Sequence, residues 1–238
     1  MARLEKYTTK QLPFQLNHNT RNSPKKSSNE MIDPSRSHLN RGWGRGDDLA
    51  HFKNRLEQLH VHNRKDVNTA LEWVVTQPQD LAENDSRRFF DEVYNFLNNR
   101  YGGKDSINMI NATVHMDEST PHLHYLFVPA VANPKGHGGK AERVCAKALI
   151  TKRELLDFHP ALQKHLNAAG IKCSVVTGKS QGRSVSLKEY KQLKATERTL
   201  AERERQLDER ERQLVEREHA REHERERAQQ KGVFLRDR

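Results

Sequence analysis

Apolar residues recur along this chain at two spacings, and the spacing decides the element. Leu49, Phe52, Leu56 and Leu59 follow a helical period, and Asp47 and Asp48 ahead of them suit a helix N-terminus, so a helix is predicted over Asp47–Leu59. A second is predicted over Ser86–Arg100, with Phe89, Phe90, Val93, Phe96 and Leu97 as its stripe, Asp85 as cap and Gly102-Gly103 as stop. Thr151-Lys-Arg-Glu154 reads as a capping box opening a third helix that runs to about Ala169 and closes at Gly170, with a kink or break expected at Pro160. Short apolar runs rich in strand formers predict strands at Arg3–Tyr7, Leu12–Leu16, Ala70–Thr76, Ile107–Val114, Tyr125–Pro129 and Cys173–Thr177. Residues 17–45 and 131–146, polar, basic and punctuated by Pro and Gly, are predicted as loops. Helices interleaved with hairpin-forming strands predict an α+β fold, one antiparallel sheet with helices packed on it.

The pattern changes after residue 185. Ser186-Leu-Lys-Glu189 is another capping box, from which the chain is predicted to stay helical to about Gln230. Leu193, Leu200, Leu207 and Leu214 recur every seven residues, but the other seam position carries Arg, Glu or Thr, which makes a weak coiled-coil seam. Dense Glu–Arg pairs four apart favour a solvated single helix instead, with pairing to a partner helix or a second copy as the alternative. The expected organisation is therefore a folded domain over 1–185 and a charged helical tail over 186–238.

Composition sharpens that division. Only 34% of the 238 residues are apolar, yet the deficit is concentrated in residues 197–231, which hold 11 acidic and 10 basic residues. The net charge of +10 therefore sits on residues 1–196, and so basic a globular part suits a polyanion, nucleic acid first. Cys145 and Cys173 form no CxxC pair, which argues against a disulfide scaffold or zinc ribbon and fits a reducing cytosol. The N-terminus lacks a hydrophobic signal core and no apolar run reaches membrane-spanning length, so a cytoplasmic protein is expected.

The chemistry concentrates at His115-Met-Asp-Glu-Ser-Thr-Pro-His122-Leu-His124, which reads as a metal site on a β-hairpin. Asp-Glu-Ser-Thr-Pro is turn chemistry; His122 and His124, two apart in a strand, share a face, and His115 meets them across the ladder. Three such imidazoles suit a divalent cation with open positions, and Mn²⁺, Zn²⁺, Co²⁺ and Ni²⁺ all fit the donor set. A lone histidine would be better read as a core or pairing residue; three in this arrangement favour ligands. Glu118 is placed to orient a ligand or serve as base, whereas Asp117 reads as a plain turn residue. His18, Asn19 and Arg21 form a second cluster, with a nucleophile, an amide and a phosphate-binding guanidinium. Arg36, Ser37 and Asn40, in the stretch Asp33-Pro-Ser-Arg-Ser-His-Leu-Asn40, supply donors suited to a DNA backbone, as do Lys25, Lys26, Arg41 and Trp43 around them.

Taken in order, His18-Asn-x-Arg, Pro-Ser-Arg-Ser-x-Leu-Asn40, Glu72-Trp-Val-Val-Thr and His115-x-Asp-Glu-Ser-Thr-Pro-His-x-His resemble the Mob/Pre family, the MobV-type relaxases of the HUH endonuclease superfamily, over about residues 2–170. The resemblance implies a five-stranded antiparallel sheet with flanking helices, and strand-specific nicking of plasmid origin-of-transfer DNA, single-stranded or in a hairpin. It implies His115, His122 and His124 as ligands of Mn²⁺ or Mg²⁺, Glu118 as assisting carboxylate, and His18 as the nucleophile that takes a 5′-phosphate. Arg21 would steady the phosphate or the nucleophile, and Tyr7 is the alternative nucleophile. Where the family usually has Tyr after Asn40, this chain has Arg41, and Trp43 is the aromatic left to stack on DNA. Relatives carry a long C-terminal region, in place of which stands the charged helix, a candidate contact for coupling or accessory proteins. A rolling-circle replication initiator and a non-catalytic DNA-binding accessory protein are the competing readings.

Overall fold

In a computed structural model, residues 2–22, 32–176, 192, 195, 196, 198–200 and 202–217 are described. The chain divides into two units, residues 1–178 and 179–238. In the first, five strands form one antiparallel sheet: β1 (Ala2–Thr8), β2 (Arg41–Trp43), β3 (Asn68–Thr76), β4 (Met109–His115) and β5 (His122–Phe127). Their spatial order is β1-β3-β5-β4-β2, which places the histidine hairpin β4–β5 inside the sheet. The helices α1 (Leu12–Thr20), α2 (Asp48–Gln58), α3 (Ser86–Tyr101), α4 (Ala146–Leu149) and α5 (Lys152–Ala168) flank it. The expected α+β architecture holds, and none of the described helices is long and apolar enough to cross a membrane.

Strand alternation splits the interior into two layers. Leu71, Trp73 and Val75 of β3, Ala112 and Val114 of β4, and Leu123, Tyr125 and Phe127 of β5 meet the apolar stripes of α3 and α5. Trp73 stacks on Phe158 with ring centroids 3.7 Å apart. On the opposite face Ala70, Ile110 and Leu126 pack with Leu12 and Leu16 of α1 and Phe52 of α2.

Four local expectations are corrected. Residues 12–16 belong to a helix, which Pro13 opens at a position where its missing N–H costs nothing. Strand alternation would put Phe14 on the side opposite its neighbours but level with Leu12 and Leu16; those two are buried while Phe14 is 77% exposed. The supposed loop over 17–45 contains the end of α1, a 3₁₀ turn at Pro34–Leu39 and β2, whose three residues are too few to show a period. The supposed loop over 131–146 contains a hairpin of β6 (Ala130–Ala132) and β7 (Glu142–Val144), whose turn is closed by the Asn133 amide donating to the carbonyls of His137 and Lys140. No strand forms at Cys173–Val176, because the Gln163 side chain occupies the backbone there: it accepts from Val175 N and donates to Cys173 O, both at 2.8 Å.

Two of the three expected caps form: Thr151 caps α5 by accepting from Glu154 N, and Asp47 caps α2 through Ala50 N, but Asp85 makes no capping bond at α3. The break expected at Pro160 does not occur, since α5 is continuous through that residue. In the C-terminal unit every described residue from 192 to 217 is helical, with Leu200, Leu207 and Leu214 exposed. Leu193 and the box at Ser186 lie outside the described residues.

Candidate metal centre and its supports

Three histidines come from the hairpin as expected. His115 faces His122 directly across the β4–β5 ladder, and His124 follows two residues later on the same face. Their ring centroids lie 5.2 Å (His115–His122), 4.7 Å (His115–His124) and 4.9 Å (His122–His124) apart. His18, in the last turn of α1 rather than in a loop, brings a fourth ring to 5.4 Å from His115 and 5.3 Å from His124. Among the described residues the potential donors form two overlapping sets, His18–His115–His124 and His115–Glu118–His122, each with donor atoms within 4.8 Å of one another.

Hydrogen bonds to carbonyls orient two of these rings. His115 Nε2 lies 2.9 Å from the Asn19 carbonyl, and His122 Nδ1 lies 2.9 Å from the Thr120 carbonyl, so each donates there and turns its other nitrogen inward. His115 Nδ1 is left buried with no hydrogen-bond partner, as are both nitrogens of His124. Glu72 Oε1 stands 3.2 Å from His124 Nδ1, near enough for charge to act but not aligned for a hydrogen bond. Orphaned buried imidazole nitrogens are costly in isolation, and a divalent cation is the group that satisfies several at once, so the residues present fit one. Burial, reinforced by the neighbouring His124, pushes His115 well below the usual histidine range, lowers His122 and brings His18 down to about 4. All three are therefore neutral with lone pairs available at neutral pH, the state that ligands and nucleophiles require.

Two carboxylates that carry little signal in the sequence build the frame. Asp117 reads there as plain turn, yet it is fully buried and holds both flanks of the site together. It accepts a bidentate pair from Arg21 (3.1 and 2.8 Å), and further bonds from Ser37 Oγ (2.7 Å) and Asn40 Nδ2 (2.8 Å). Despite its burial these donors hold its carboxyl well below the usual range. Glu72, on β3, accepts from Asn19 Nδ2 (2.7 Å), Gln15 Nε2 (3.0 Å) and Tyr7 OH (3.1 Å), which fixes α1 against the sheet. A signal for it exists: a Glu inside an otherwise apolar strand is buried only when paired.

The remaining candidates are distributed unevenly. Glu118 lies 3.7 Å from His115 Nδ1 and 2.7 Å from Arg21 Nη2. Arg21 itself is taken up by Asp117, Glu118 and the His18 carbonyl, so it clasps the hairpin turn to α1. Asn19, Ser37 and Asn40 direct their side chains to Glu72 and Asp117 rather than outward. Arg36 is exposed. Arg41 and Trp43 pair with Val114 and Ala112, which puts both side chains on the α3 face, away from the histidines. There Trp43 stacks on Tyr94 at 4.3 Å, with the Arg41 guanidinium 5.0 Å from its ring centroid and bonded to Asp91. Lys25 and Lys26 lie outside the described residues. Tyr7 is held protonated: burial and its bond to Glu72 push its hydroxyl far above the usual range.

A family model described as plasmid recombination enzyme (Mob_Pre) matches residues 1–192. Curated relatives include plasmid recombination enzymes of Lactiplantibacillus plantarum (30% identical, covering 82% of this chain and 53% of the relative) and Streptococcus agalactiae (29%, 82% and 39%). The chain thus spans about two-fifths to one-half of their length. A crystal structure of the MobM relaxase domain, Mn-bound and in complex with origin-of-transfer DNA of plasmid pMV158, is 28% identical with a TM-score of 0.66, covering 81% of this chain and 97% of that one.

Proposed function

This chain belongs to the Mob/Pre family of plasmid recombination enzymes, and from that premise we propose that it is a plasmid mobilisation relaxase, which nicks one strand of origin-of-transfer DNA and retains the 5′-phosphate end. The observation that carries this is the convergence of four imidazoles, three from one hairpin and one from α1, on a strongly basic unit. The nuclease reading covers residues 1–185, with 186–238 as an accessory tail for a transfer partner or a second copy.

His115, His122 and His124 would hold the cation, Mn²⁺ as in the related MobM domain or Mg²⁺. When bound, it would supply polarisation of the scissile phosphate and offset charge on the leaving oxygen. The chain's own residues do the rest. A ring nitrogen of His18 attacks phosphorus, a P–N bond forms and the P–O3′ bond breaks. The released 3′-oxygen takes up a proton and the histidine ring gives up its own, so the balance is one phosphoramidate and one 3′-hydroxyl. Arg21 and Asp117 keep the hairpin turn against α1, which holds His18 in reach without any reorganisation. Glu118 sits beside His115 as the carboxylate that steadies the ligand face. Arg36, Lys25 and Lys26 are the contacts assigned to the DNA backbone.

Supercoiled plasmids carrying cloned candidate origins, incubated with the protein and Mn²⁺, test this. Relaxed circles that vanish on chelation are expected; DNA binding without any nicking on every origin would leave an accessory binding protein instead.

A further inference from the structure

Phe14 is the most exposed of the large hydrophobic residues described, at 77%, and the only aromatic among the exposed ones. Its helix has no spare freedom. The buried side of α1 is Leu12, Leu16 and Asn19, locked by core packing and by the bonds of Gln15 and Asn19 to Glu72. Phe14 and His18 lie on the next stripe, four apart, so they stand one helical turn from each other, about 5–6 Å between Cβ atoms. His18 on that stripe touches His115 and His124, and Arg21, just past the helix end, touches the hairpin turn. An uncovered phenyl ring is therefore carried on a rigid element, one turn from the group that meets the phosphate.

We infer that Phe14 is a stacking platform for a nucleobase of the single strand whose phosphate meets His18, a positioning residue for the proposed reaction and dependent on that reading. Every base has a π-face, so such contacts are tolerant of sequence, and each contributes about 1–3 kcal/mol in single-strand binding. The occupant is a nucleobase rather than a protein helix because the unit is strongly basic and one isolated ring, with no apolar neighbours on its stripe, offers too little area for a protein interface. Stacking next to the scissile phosphate would hold the strand in place there, adding to the positioning that phosphate contacts supply.

Oligothymidylate is the probe, used with the full chain in chelator so that binding is read without nicking. Phe14→Ala is expected to weaken binding by roughly 5–100-fold, Phe14→Tyr to restore it, and Phe14→Trp to show emission quenched on addition of the oligonucleotide. Equal affinities for the wild type and Phe14→Ala, or unquenched emission from Phe14→Trp, would overturn the inference. Nicking of origin plasmid is measured alongside: wild-type nicking with Phe14→Ala binding unchanged sinks Phe14 alone, whereas no nicking by any protein sinks the relaxase reading. Because Phe14 is solvent-facing, its variants are expected to unfold as the wild type does, and a lowered midpoint for Phe14→Ala would mean the ring serves the fold instead.

Discussion

At the histidine end of the sheet the same three strands serve two faces that have opposite chemistry, although farther along Ala70, Ile110 and Leu126 make the α1 side apolar too. Toward α3 and α5 they present Leu71, Trp73, Val75, Ala112, Val114, Leu123, Tyr125 and Phe127, all buried and apolar. One residue along each strand, toward α1, they present Glu72, Thr113, His115, His122 and His124. A one-residue slip would exchange the two sets, so the apolar face fixes the register that brings the histidines together. Strand alternation keeps the histidines off the α3 face, and the hairpin sits where a neighbouring strand flanks it on each side, so the histidines cannot drift.

The contrast breaks most visibly at the histidine face. His122→Ala is expected to reduce nicking to the chelator background, a loss beyond about 1,000-fold, or over ~4 kcal/mol of barrier, in a plasmid relaxation assay. The unfolding midpoint is expected to fall little, since the ring is a half-buried one at the strand's start; retained nicking would remove His122 from the site. The reverse result is expected across the sheet. Phe158→Ala, which strips a fully buried ring from Trp73, is expected to cost about 3–5 kcal/mol in urea unfolding while cation binding per folded molecule stays unchanged.

A carboxylate behind the histidines on the α1 face gives a smaller effect. Glu72→Gln keeps the shape but removes the charge beside His124 and the acceptor strength shared by Asn19, Gln15 and Tyr7. Its cation affinity, read by calorimetry, is expected to drop about 10–100-fold; no change would confine Glu72 to a packing role. Arg41→Ala gives the smallest effect. Its pair with Asp91 is partly exposed on both sides, so the loss in stability is expected to stay below about 1 kcal/mol, and DNA affinity and its salt dependence are expected to be unchanged. A uniform loss of affinity with a shallower salt slope would instead put Arg41 on a phosphate.

Legibility in the sequence follows the same division. The stripes of α2 around Phe52 and of α3 through Phe89, Phe90, Val93, Phe96 and Leu97 are plain because many residues repeat one period. The histidine hairpin is plain because turn chemistry and spacing agree. What stays hidden is short or paired at long range. β2, β6 and β7 have three residues each, too few for alternation to register. The helix at Leu12–Thr20 is ambiguous because residues 12, 14 and 16 fit a strand while 12, 16 and 19 fit a helix. Asp117 looks like any turn aspartate, because its partners Arg21, Ser37 and Asn40 lie 77 to 96 residues away in sequence.

The central claim is that the histidine face closes on a cation and presents His18 to a phosphate. Mass spectrometry of protein trapped with an origin oligonucleotide in Mn²⁺ tests it most directly. The account expects a nucleotide adduct on the peptide carrying His18, acid-labile and absent when Mn²⁺ is chelated. An adduct on Tyr7, or nicking that persists when His18 is replaced by Phe, would contradict it.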